Sequence, residues 1–290
     1  MSVALQTAPL PSDDKTTVQR PTKAAWASKG VMALTDQGLI ATANFLVALL
    51  LARQVSQAEY GAYALAFEVF LLMVVVYSAF ILEPMSVFGP SVYKNCLREY
   101  MKTILGLHVW VTLVTFAIVG GAAAFAFLAK GNKPVAMALL GVAVAGPCVL
   151  FFWVVRRTYY LNLMPGPAAV GALIYSSVLL SALFVCYREH WLSSMTVFLI
   201  MSMAALVTGP TLLVRLNKRL SSGTDSPARS DVIQRHWKYG RWALLSATAT
   251  WGTGAIFYFS VSSFHGLATT GELKAVLYIC LRLVDGFVGI

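Results

Sequence analysis

Apolar stretches of 20 residues or more recur from residue 30 to residue 290, separated by short polar connections. As a helix rising about 1.5 Å per residue, a run of this length covers a hydrocarbon core of about 30 Å. Bilayer hydrocarbon offers no partner to a backbone N–H or C=O, so each segment must satisfy these groups as a helix or join a closed barrel. Barrel strands would be about ten residues of alternating polarity, which these runs are not. The sequence therefore predicts an all-α integral membrane protein of about eight transmembrane helices. With 58% hydrophobic and only 12% charged residues, and a mean hydropathy of +0.72, a soluble enzyme, a disulfide scaffold and a disordered chain are excluded.

The eight segments are 30–52, 60–82, 103–128, 135–155, 168–187, 194–214, 242–264 and 271–290. The links after the first, third, fifth and seventh have only 6 or 7 residues, so those neighbours form antiparallel hairpins. The longer links then share one side with the amino-terminal tail. This predicts a polar tail (1–29), a six-helix bundle (30–214), a basic linker (215–241) and the first two helices of an incomplete second bundle (242–290). Gly146-Pro147 and Gly209-Pro210 mark expected kinks within spans.

Sixteen of the 22 basic residues fall on the tail side, and short loops rich in Lys and Arg stay in the cytoplasm. A cytoplasmic amino terminus follows. The net charge of +10 is spread over membrane-flanking loops rather than a soluble face, which predicts contact with anionic membrane lipids and no nucleic-acid partner. No HExxH, CxxC or phosphate-loop spacing occurs, and the longest loop has 27 residues, too few for a catalytic domain. No catalytic residue, metal or cofactor is assigned, and the chain reads as a transporter rather than an enzyme, with coupling to Na+ or H+ the one ionic requirement considered.

Polar side chains inside spans are costly and mark either tight helix contacts or a hydrated path. In segment 1, Gly30, Ala33, Gln37, Ala41, Asn44 and Ala48 form one small-polar stripe, open to both readings. Asp36 lies one position off it. Glu68 sits about 12 Å from the outer end of segment 2, where a carboxylate needs a cation, a proton or water. It is a coupling-ion candidate together with Asp36, or a structural ion pair. In segment 8, Lys274, Tyr278, Arg282 and Asp285 share a face, so Lys274 and Arg282, with Gln37 and Asn44, are candidates to line a substrate path. A cationic stripe of this kind suits a phosphate-bearing ligand, whereas pairing of Arg282 with Asp285 would make it structural.

The hairpin DQGLIATANFLVALLLARQVSQAEYGAYALA (36–66) resembles bacterial polysaccharide or O-antigen flippases, the Wzx-type branch of the superfamily that includes the multidrug and toxin extrusion antiporters. Supporting pieces are ILEPMSVFGPSVY (81–93), Arg156-Arg157 followed by Tyr159 and Tyr160, and HWKYGRWALLSA (236–247). The resemblance implies two six-helix bundles in alternating access, translocating a polyprenyl-pyrophosphate-linked oligosaccharide across the inner membrane. It also implies work alongside glycan polymerase and glycosyltransferases in surface polysaccharide synthesis. Members have a dozen or more spans, so a chain stopping inside segment 8 reads as a truncated piece of such a flippase. The competing expectations are a cation-coupled multidrug antiporter of the same architecture and a non-transporting scaffold of a glycan-synthesis complex.

Overall fold

The computed structural model describes residues 23–128, 131–220 and 227–288, with side chains in the last helix described as far as residue 277. In chain order the elements are α1 (Lys23–Gln54), α2 (Gln57–Tyr77), a π-helical turn (Ser78–Leu82), α3 (Glu83–Ser91) and a 3-10 turn (Lys94–Cys96). There follow α4 (Leu97–Leu128), α5 (Lys133–Leu161), α6 (Pro165–Arg188), α7 (Ser194–Asn217) and α8 (Arg229–Val288). No strand occurs among the described residues. Among the described residues six helices are long and apolar enough to cross a membrane: Trp26–Gln54, Gln57–Ser91, Lys94–Leu128, Lys133–Leu161, Pro165–Arg188 and Ser194–Asn217. The Gln57–Ser91 span runs through α2, the π turn and α3 without a break.

Local chemistry sets the boundaries. Ser56, Asn132 and Ser193 each accept a hydrogen bond from the backbone N–H three residues on, capping α2, α5 and α7. Proline stands in the first turn of α5 and α6, where a missing N–H removes no helical bond, and in the first turn of α3, where the helix runs on from the π turn and only the Phe80 carbonyl loses its donor. For that reason the expected 20-residue link at 83–102 is not a loop. Pro84 opens α3 rather than ending α2, and only Val92 and Tyr93 separate α3 from the 3-10 turn. Both α5 and α7 continue as helix through Pro147 and Pro210.

Among the described residues seven long helical elements stand where about eight spans were expected. Segments 7 and 8 both fall in α8, which is two helices meeting at a kink at Gly266 (φ 84°, ψ 175°). The stretch HGLATT (265–270) holds one residue at ease with positive φ and no proline, so the helix resumes at once. The bend is sharp nonetheless. The Lys274 ammonium lies 4.4 Å from the centre of the Tyr258 ring, yet 16 residues of straight helix would separate them by about 24 Å. The first half of α8 carries Ser246, Thr248, Thr250, Thr253, Ser260, Ser262 and Ser263, and α8 is not among the six helices apolar enough to cross a membrane.

In the packed core, α5 sits against α7, α4 and α2, α6 lies between α1 and α7, and α8 runs along α2. Where lipid is as apolar as the helices, close approach supplies the attraction, and small residues permit it. A Cβ on Gly141 would meet the Met195 Cα at 3.2 Å, and one on Gly209 would meet the Phe151 ring at 2.8 Å. The α2–α8 crossing is closer still. A Cβ on Gly61 would fall on the Leu267 carbonyl, and one on Gly271 on the Gln57 carbonyl.

Candidate functional site

The Gly61–Gly271 crossing places Glu68, two helical turns along α2, beside Lys274, one turn along α8. The Lys274 ammonium donates to Glu68 Oε1 at 2.8 Å, and both residues are buried, at 5% and 7% exposure. Aromatic walls complete the setting: the ammonium lies over the rings of Tyr258 (4.4 Å) and Phe67 (5.5 Å). Ring faces attract a desolvated cation, which offsets part of the hydration lost. The Trp251 indole N–H donates to the Glu68 backbone carbonyl at 3.0 Å, a second tie between α2 and α8. Asn44 of α1, with Tyr60, Tyr63 and Lys274, borders a small cavity of about 10 Å³, of the order of one water.

Asp36 has a different environment. It is wholly buried, and Arg156 of α5 donates from Nε to both carboxylate oxygens at 2.9 Å, with a further bond from its terminal nitrogen. The Tyr160 hydroxyl donates to the same carboxylate. Neighbouring Arg157 donates to the Ser86 hydroxyl at 2.8 Å, tying α5 to α3.

Of the six residues singled out in the sequence, three come together: Asn44, Glu68 and Lys274. Asp36 is drawn into the α1–α5 pair instead. Gln37 is exposed, as is Ala41, while Ala48 is buried, so the stripe on α1 is open at one end and packed at the other. The Arg282, Tyr278 and Asp285 side chains lie outside the described residues. Sequence reasoning did not join Glu68 to Lys274, although the signal was there: opposite charges near the same end of two spans. Arg156 and Tyr160 were not read as partners of Asp36, and the Tyr258 and Phe67 rings were not singled out.

A further cluster joins the start of α8 to the bundle. Phe80 lies four residues before Pro84, so its carbonyl lacks the usual helical donor. His236 Nδ1 supplies one at 2.8 Å, which makes Nε2 the acceptor for the Tyr100 hydroxyl, also at 2.8 Å. Trp237 stacks on Phe80 at 5.4 Å, and Gly240 allows contact with the Ala79 carbonyl. Burial pushes the His236 pKa below its usual 6.5, against a smaller opposing effect of the Phe80 carbonyl. Nearby, Asp231 is paired with Arg235, whose hydrogen bond holds its carboxyl below the usual range, and accepts from Tyr93. His108 is satisfied inside the bundle by the Tyr77 hydroxyl at 2.8 Å.

Compared with models of known families, with curated proteins and with solved structures, the chain matches none.

Proposed function

We propose that the chain is a flippase for polyprenyl-pyrophosphate-linked oligosaccharide in the bacterial inner membrane, or a part of one, with its amino terminus in the cytoplasm. The observation that carries this reading is the buried Glu68–Lys274 pair joining α2 to α8. An ion pair in a membrane bundle is a poor way to gain stability, because desolvation consumes most of the attraction. Its use lies in being exchangeable. A pyrophosphate competes with a carboxylate for the same ammonium, and when Lys274 turns to substrate, Glu68 is left to take up H+ or Na+. Arrival of anionic cargo is thereby linked to uptake of a cation and to separation of α2 from α8. Gln37 and Asn44 line the sugar's route, and the polyprenyl tail stays in lipid, since an unshielded pyrophosphate does not cross hydrocarbon.

Reconstitution tests the proposal. Proteoliposomes holding the protein exchange a fluorescent polyprenyl-pyrophosphate glycan between leaflets, and a cell lacking the gene loses surface polysaccharide. No exchange in liposomes and normal export in the deletion strain would refute it. Drug efflux in place of glycan exchange would assign the protein to a cation-coupled antiporter. Co-purification with glycosyltransferases in the absence of any exchange would make it a scaffold.

A further inference from the structure

A crevice of about 540 Å³ runs between α2 and α4 and is closed at one end by the first turns of α8. Its walls are almost entirely carbon, with Val69 and Val76 on one side, Trp110 and Val114 on the other, and Trp237 across the end. The lining on α4 extends from Leu107 to Val119, about 18 Å of helix, close to the hydrocarbon depth of a single leaflet, about 15 Å.

The closed end is cationic. Arg229 lies one turn before Ile233, which lines the crevice, and its guanidinium comes within 3.7 Å of where a Cβ on Gly106 would stand, one residue before Leu107. Arg229 is exposed and has no ion pair or hydrogen bond among the described residues, and Lys238 on the same helix has none either. The nearby carboxylates are engaged, Asp231 by Arg235 and Glu99 by Lys102. An unpaired guanidinium at the membrane surface, above an apolar slot one leaflet deep, matches an anionic head joined to an acyl chain.

We propose that this crevice binds an anionic phospholipid, one acyl chain lying between α2 and α4 and the phosphate held by Arg229. The lipid links the start of α8 to the bundle, and the site stands whether or not the chain moves lipid-linked sugars.

Native mass spectrometry of the full chain, released from bilayers of equal phosphatidylglycerol and phosphatidylcholine, tests it. The wild type retains phosphatidylglycerol in preference to phosphatidylcholine. Arg229→Gln lowers that retention about fivefold, the effect of about 1 kcal/mol per basic residue at an anionic surface. Val114→Trp, which fills the slot, lowers retention of both lipids. Lys218→Gln, at the same end but away from the crevice, changes neither. Retention unaltered in Arg229→Gln overturns the proposal, and so does an equal loss in Lys218→Gln, which would mean diffuse attraction to a basic surface. If Val114→Trp does not fold, the Arg229 and Lys218 variants decide the matter by themselves.

Discussion

Two buried ion pairs of the same formal charge are held in different ways in this molecule. Asp36–Arg156 joins α1 to α5 within one bundle, through a forked guanidinium and a phenol that together fill the carboxylate's bonding capacity. Glu68–Lys274 joins α2 to the returning half of α8 by a single 2.8 Å bond from a flexible ammonium, in a setting of aromatic rings and a small cavity. Arginine's planar fork fixes geometry, whereas lysine's ammonium rotates and exchanges partners readily. The contrast teaches that a carboxylate inside a membrane bundle does not by itself mark a coupling site. The number and rigidity of its partners separate a rivet from a latch.

Removing one side of the rivet should have the largest effect. Asp36→Ala leaves a buried guanidinium without a counter-charge, and unfolding in detergent should show a loss of about 3–5 kcal/mol. A loss under 1 kcal/mol would mean that the pair is not the structural element described. Lys274→Met should cost less, about 2 kcal/mol, because it removes a single hydrogen bond rather than a forked set. The Glu68→Gln/Lys274→Met pair should recover most of that loss, and a double-mutant cycle that came out additive would show the two residues to be uncoupled.

The hinge behind the latch is tested next. Gly266 adopts φ 84°, so Gly266→Ala should cost about 1–3 kcal/mol and weaken the α2–α8 contact, whereas Gly252→Ala, with open space around it, should be neutral or stabilising. Equal thermal shifts for the two variants would contradict the sharp bend. On the rivet side, Tyr160→Phe removes one of several bonds to Asp36 and should cost only about 1 kcal/mol.

The smallest expected effect concerns the joint at His236. Its pKa is depressed in the folded state, so the unfolded chain binds the proton more readily. Stability should therefore be complete above the usual histidine value of 6.5 and decline as pH falls below it. His236→Asn should flatten that acid limb in a melting-temperature series. A limb of unchanged slope would place the titration elsewhere.

The spans were legible because burial in hydrocarbon forces long apolar helices, and six of those expected coincide with helices of suitable length to within a few residues at most ends. Less legible were features where one residue redirects a local rule. Pro84 reads as a stop but serves as a first-turn residue, and the expected six-residue link at 265–270 shrinks to a kink at Gly266 between two helices. The pairings were out of reach for another reason: Glu68 and Lys274 are 206 residues apart, and Asp36 and Arg156 are 120 apart, so nothing local links them. Depth in the membrane, counted from span ends, was the one signal able to suggest the first pair.

The central claim, that the Glu68–Lys274 pair serves movement of cargo rather than stability, is tested most directly by leaflet exchange of lipid-linked glycan in liposomes holding the Glu68→Gln/Lys274→Met protein. Together the two substitutions leave no lone buried charge, so folding should be retained. The account predicts a melting temperature close to that of the wild type with exchange reduced at least about tenfold, a barrier change of about 1.4 kcal/mol. Exchange at the wild-type rate in the folded double variant would contradict it.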